Sequence, residues 1–167
     1  MKKILIVGSS GSGKSTFAKA LSAKLNISVY HLDVLYWKPG WIESPPGEFE
    51  TKQREILEKA EFIIDGYYGL TLPMRLEQAD TVFFTDLNRW VCLYGAVKRR
   101  FYYRNRSRSD MGGGCVEKID KMFMMWILYH YPKQRRNLRR QLDEWGGRVI
   151  TFKNRRQMKE YLKGLEA

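Results

Sequence analysis

No apolar run in the sequence approaches the roughly 20 residues needed to span a bilayer, so there is no candidate membrane helix. Cysteine is scarce: Cys92 and Cys115 stand 23 positions apart, without the paired spacing of a metal site. Free thiols in a reducing compartment are the expectation. Histidine is equally scarce, and His31 and His130 form no ligand cluster with the cysteines, so no structural zinc is expected. Acidic residues are few, 18 against 30 lysines and arginines, for a net charge of +12. That excess attracts polyanions generally, whether nucleotides, nucleic acids or acidic membranes, and does not choose among them.

No repeat and no linker divides the 167 residues, a length that suits one domain with a proper core. The composition, 44% hydrophobic and 29% charged, is that of a folded globular chain. A single domain over 1–167 is expected. The opening Met1-Lys2-Lys3 and the apolar 4–7 resemble a signal peptide only briefly. The apolar run stops after four residues at a glycine-rich loop, which reads as a buried strand and a cytoplasmic protein.

Strand-length apolar runs at 3–7, 28–32, 61–65, 81–85 and 148–152 alternate with helix-length segments. The helical spacing covers 14–25, 48–60, 72–78, 88–104, 116–131, 133–145 and 155–165, with Pro132 expected to break the long C-terminal helix in two. An irregular aromatic stretch occupies 36–41, and 106–115 reads as a loop hinged at Gly112-Gly113-Gly114. The alternation predicts an α/β fold, with a parallel sheet and crossover helices on its faces.

The first strand runs into Gly8-Ser9-Ser10-Gly11-Ser12-Gly13-Lys14-Ser15, and an amphipathic helix follows. Glycines let the backbone curl so that several N–H groups face phosphate oxygens, and the helix dipole adds to the attraction. Lys14 is placed to reach the outer phosphates and the Ser15 hydroxyl to ligate magnesium, which predicts ATP with Mg2+ as the ligand. Chance would produce this pattern in under about 1% of chains of this length. Thr16 and Asn154, the latter just past the fifth strand, complete the candidate nucleotide contacts. Asp65 closes the third strand as a magnesium-side carboxylate acting through water, and Asp33 closes the second as an acceptor-side or further metal-side carboxylate. A turn or cap is the competing reading of each.

Glu117-Lys118-Ile119-Asp120 only imitates a guanine-specificity motif, because no strand precedes it. A small phosphotransferase is the better reading. Lys98, Arg99, Arg100, Arg104, Arg106 and Arg108 crowd one helix end and the loop beyond it, and Arg100, Arg104 and Arg108 are assigned with Lys14 and Asp33 to catalysis. Arginines on a closing lid would neutralise the migrating phosphoryl group and exclude water. Tyr36, Trp37 and Trp41 would line the acceptor pocket or pack a loop onto the core. The competing function is a nucleic-acid-binding module that uses ATP only as a ligand. Its support is the net charge and the pairs Arg135-Arg136, Arg139-Arg140 and Arg155-Arg156.

These residues carry a family resemblance. The phosphate loop, Leu32-Asp33-x-x-Tyr36-Trp37-x-x-Gly40-Trp41 and Ile63-Ile64-Asp65-Gly66-x-Tyr68 resemble the bacterial DNA topology-modulation proteins, which are adenylate-kinase-like P-loop kinases. Arg75-x-x-x-Ala79-Asp80-Thr81-Val82 and Arg108-x-Asp110-Met111-x-x-Gly114-Cys115 extend the match over most of the chain. The resemblance implies a three-layer α/β/α P-loop NTPase fold, five parallel strands in the order 2-3-1-4-5, and an arginine-bearing lid near 104–117. It also implies nucleotide contacts on 8–15 and acceptor-side or magnesium-side roles for Asp33 and Asp65. Adenylate kinases follow the Asp-Gly pair with Phe-Pro-Arg, whereas Tyr67-Tyr68-Gly69 stands here, so their acceptor-phosphate arginine is missing from that place. Tyr67, Ser109 and 116–118 also depart from the topology-modulation pattern.

Overall fold

In the computed structural model, residues 1–103, 110–115 and 121–165 are described. The elements run β1 (Lys3–Gly8), α1 (Lys14–Leu25), β2 (Val29–His31), α2 (Leu32–Tyr36), β3 (Trp37–Lys38), β4 (Ile42–Glu43), α3 (Pro46–Leu57) and β5 (Phe62–Asp65). A 3-10 turn at Gly69–Thr71 leads into α4 (Leu72–Leu76), β6 (Thr81–Thr85), α5 (Arg89–Tyr102) and α6 (Lys121–Met125). A π turn at Trp126–His130 then joins α7 (Tyr131–Trp145), β7 (Arg148–Phe152) and α8 (Arg155–Gly164).

Five strands form a parallel sheet in the order β2-β5-β1-β6-β7. Numbered by the five sheet strands alone, this is the expected 2-3-1-4-5. Period-two alternation on β1 builds two cores. Ile4 and Ile6 meet Phe17, Leu21, Phe83, Phe152 and Met158, the layer of α1 and α8. Leu5 and Val7 meet Phe49, Ile56, Leu72, Leu138 and others, the layer of α3, α4 and α7. Phe83 is fully buried and lies edge-on to Phe17 and stacked on Phe152. Three layers result, and the carboxyl ends of β2, β5, β1 and β6 open together at one edge.

Two expectations change. The stretch 36–41 is ordered: β3 and β4 pair as an antiparallel hairpin whose turn holds Gly40 and Trp41 at positive φ. The helix is not broken at Pro132. Pro132 has no N–H to give to Leu128 O, and its ring would crowd that carbonyl. The chain widens to a π turn, Tyr131 N–H reaches back to Trp126 O, and Arg89 Nη1 donates to the released Leu128 O at 3.2 Å.

Candidate functional site

The phosphate loop leaves β1 between β5 and β6 and enters α1 without a side-chain cap. Gly8, at φ 146°, lies so close to β6 that a β-carbon there would stand 2.7 Å from Thr85 O. Gly11, at φ 76°, leaves no more room, since a β-carbon would overlap Cys92 O and come within 2.7 Å of Ala96 N. The loop is thus wedged between β6 and α5, and only glycine fits either contact. The Ser12 hydroxyl donates to Ser9 O at 2.8 Å and shares a 2.9 Å hydrogen bond with Thr85 Oγ1. Arg155, at the start of α8, donates to Gly11 O at 2.8 Å and Ser12 O at 3.5 Å. Arg99 reaches Ser10 Oγ at 3.4 Å from both terminal nitrogens. Burial raises the Cys92 thiol above its usual range, so Cys92 packs as a small neutral side chain.

Beside the loop opens a cleft of about 440 Å³. Lys14, Ser15 and Thr16 form its floor, Lys98, Arg99 and Tyr102 one wall, and Arg155 and Met158 the other. Its position at the amino end of α1 and the six lysines and arginines that line it suit a polyphosphate.

Asp65 ends β5, in register with Ile6 of β1 and His31 of β2. It is 4% exposed; its Oδ2 accepts from His31 Nδ1 at 2.7 Å, and its Oδ1 is buried without a partner. An orphaned carboxylate oxygen in this place fits the hydration shell of a divalent cation. Among the described residues no group of three His, Cys, Asp or Glu side chains gathers to hold a metal.

No protein-family model matches the sequence, and no curated protein matches it. Solved structures match along its whole length. The shikimate kinase of Acinetobacter baumannii in complex with shikimate aligns over 99% of this chain and 93% of its own, at 17% identity and a TM-score of 0.63. The deoxyadenosine kinase of M. mycoides with bound dATP aligns over 100% of both chains, at 15% identity and a TM-score of 0.55. The shikimate kinase of Bacteroides thetaiotaomicron covers 97% of this chain and 94% of its own, at 17% identity and a TM-score of 0.56. The fold is that of the P-loop kinases. At these identities the likeness extends to the fold and no further.

Within that P-loop kinase fold the remaining expected residues separate. Asp33 is not at a strand end: β2 stops at His31, and Asp33 lies in the first turn of α2. Tyr68 O–H donates to Asp33 Oδ1 at 2.8 Å. Burial, with the Asp33 charge beside it, pushes the Tyr68 hydroxyl far above the ordinary tyrosine range, so it remains a donor. Tyr68 holds φ 37°, a strained angle for an aromatic residue. The fully buried Arg75 holds that backbone: it donates to Gly66 O and Tyr68 O at 2.9 Å each, to Thr71 O at 3.3 Å, and to Tyr67 O. Burial lowers the Arg75 guanidinium to about 9. Tyr36, Trp37, Phe49 and Tyr68 pack ring against ring around this point.

Asn154 caps α8, its side chain accepting from Gln157 N at 3.0 Å, and its neighbour Arg155 lines the cleft instead. Arg100 is absent from the cleft wall and keeps Nη1 buried without a partner. Arg104, Arg108 and most of the proposed lid lie outside the described residues. The glycine run is not a free hinge where it is described. A β-carbon at Gly112 would overlap Trp37 O, one at Gly114 would stand 3.2 Å from Pro39, and Cys115 Sγ donates to Lys38 O at 3.2 Å. Segment 110–115 therefore docks on the hairpin.

Sequence reasoning missed Asp86, which follows β6 and accepts from Arg135, Arg139 and Lys153. Burial pushes its carboxyl up, but the three cations prevail and hold it at about 2. Nothing local marks that partnership, because the cations come from α7 and from the residue just after β7, 49 to 67 positions away. Of the three dibasic pairs, Arg135, Arg139, Arg140, Arg155 and Arg156 each have an acidic or carbonyl partner in the structure. Among the described residues no helix is long and apolar enough to cross a membrane.

Proposed function

We propose that this chain is an ATP-dependent phosphotransferase acting on a small acceptor. The observation that carries the reading is the loop at 8–15, wedged open-side-out between β6 and α5 at the floor of the cleft. The backbone N–H groups of 8–15 cradle the β- and γ-phosphates of ATP, and Lys14 neutralises their charge. Ser15, and Asp65 through water, are the residues that would hold magnesium, which supplies further charge neutralisation when bound. Lys98, Arg99 and Arg155 take up the remaining donor charge, with Arg100, Arg104 and Arg108 as the lid-side set.

Asp33, oriented by Tyr68, receives the proton of the acceptor hydroxyl. That oxygen bonds to the γ-phosphorus as the bond to the β,γ-bridging oxygen breaks, and ADP leaves. The resemblance to topology-modulation proteins belongs to this proposal, with any effect on DNA arising indirectly. The test is conversion of ATP to ADP across a broad acceptor panel by the natural protein and by Lys14→Ala. No conversion by either protein removes the proposal.

A further inference from the structure

Charge is divided unevenly along this chain. Residues 29–80, which build β2, the hairpin, α3, β5 and α4, carry 5 basic and 10 acidic side chains. The remaining residues carry 25 basic and 8 acidic ones. At the carboxyl edge of the sheet, Lys14, Lys98, Arg99 and Arg155 line the cleft, whereas Asp65 ends β5 and Asp33 opens α2 just past β2, although the whole chain is at +12.

The five basic side chains of 29–80 are also committed. Lys38 and Lys52 both hold Glu48, at 2.6 and 2.7 Å, and pull its carboxyl down to about 2. Arg54 holds Glu50 at 2.6 Å, and Lys59 lies over the Tyr30 ring. Arg75 gives its donors to four backbone carbonyls and faces no carboxylate in doing so. What this half presents beside β2 and β5 is a carboxylate, Asp33, with a neutral hydroxyl, Tyr68, and aromatic rings at Tyr36, Trp37 and Trp41.

We propose that the acceptor is a hydroxyl compound without a phosphate or carboxylate group, uncharged or cationic. This rests on the phosphotransferase reading and names its substrate class. A carboxylate with one oxygen held by Tyr68 accepts a hydroxyl proton through the other and repels an anion brought against it. Flat rings bind sugar or base faces without needing charge. An acceptor bearing its own phosphate would meet Asp33 with no uncommitted cation from 29–80 to receive it.

The experiment measures binding of matched probes to the full chain with Mg2+ and a non-hydrolysable ATP analogue. Nucleosides are compared with their 5′-monophosphates, and polyols with the corresponding sugar acids, by calorimetry at low salt. The uncharged member is expected to bind at least tenfold more tightly in at least one pair, and Asp33→Asn to narrow that gap. Tighter binding of the anionic members overturns the assignment and leaves the phosphotransferase reading standing. If the ATP analogue binds but none of the probes binds, both proposals fall.

Discussion

Gly95 sets two physical effects against each other. It lies within α5, where replacing glycine by alanine ordinarily stabilises a helix by about 1 kcal/mol. Here the added β-carbon would overlap the Gly11 carbonyl oxygen and stand 3.1 Å from its carbon, and it would also collide with Arg155 Nη2. The arginine tip can swing aside, at the loss of a charged hydrogen bond to Gly11 O worth about 1.5 to 3 kcal/mol before solvent screening. The loop backbone cannot move without lifting off Thr85, so overpacking adds about 1 to 3 kcal/mol. The clash wins, and Gly95→Ala should lose about 1.5 to 5 kcal/mol net, toward the low end once the arginine's hydrogen bond is screened by solvent. For a domain of this size that lowers Tm by roughly 3 to 20 °C. It should also weaken an ATP analogue at least tenfold. Gly164, in α8 with nothing within 4 Å of an added β-carbon, is the internal control, and Gly164→Ala should be neutral or slightly stabilising. Scanning calorimetry and titration of the analogue decide the matter. A Tm that rises by 2 to 4 °C with unchanged affinity, as propensity alone requires, would refute the wedged-loop account.

Asp86→Asn leaves three cations facing one another and should cost about 3 kcal/mol near neutral pH. The folded carboxyl is held at about 2 against an ordinary 3.8, so its contribution, on the order of 2 kcal/mol, is present above pH 4 and lost as pH falls through 2. Urea midpoints of natural protein and variant should therefore converge on acidification, and a gap that stays constant from pH 6 to pH 2.5 contradicts the ion cluster. Arg75→Leu strands four carbonyls and releases the strained Tyr68, so it should destabilise by about 3 to 5 kcal/mol in chemical denaturation; a loss under 1 kcal/mol would mean that the strap holds nothing. Phe83→Ala, emptying the centre of the aromatic layer, should cost about 3 to 5 kcal/mol without changing the affinity for the ATP analogue, and a selective loss of that affinity would argue against a purely packing role.

Much of the donor side is legible in the sequence because its determinants are contiguous: glycine spacing, a preceding apolar strand and an amphipathic helix all lie within 3–25. The strand runs were equally readable, since burial on both faces leaves a plain apolar signature at 62–65 and 81–85. What escaped depends on distant partners. Nothing beside Arg75 reveals that it straps 66–71, and Arg155 reads as surface charge until α8 is folded against the loop. Gly112 reads as a hinge until Trp37 is brought beneath it. Asp33 is expected at the end of the second strand but stands in the next element, because β2 ends two residues earlier and the chain turns directly into α2. Pro132 is expected to break the helix, but its missing bond is absorbed by a π turn and by Arg89, which no local rule supplies.

The central claim is that 8–15 delivers the γ-phosphoryl of ATP to a hydroxyl acceptor. The direct measurement is transfer of label from γ-labelled ATP, with magnesium, to a panel of nucleosides, polyols and amino alcohols, resolved by chromatography. The account predicts a labelled acceptor and ADP in equal amounts from the natural protein, with transfer reduced at least a hundredfold in Lys14→Ala. Absence of any labelled acceptor across the panel, or equal transfer by Lys14→Ala, would contradict it.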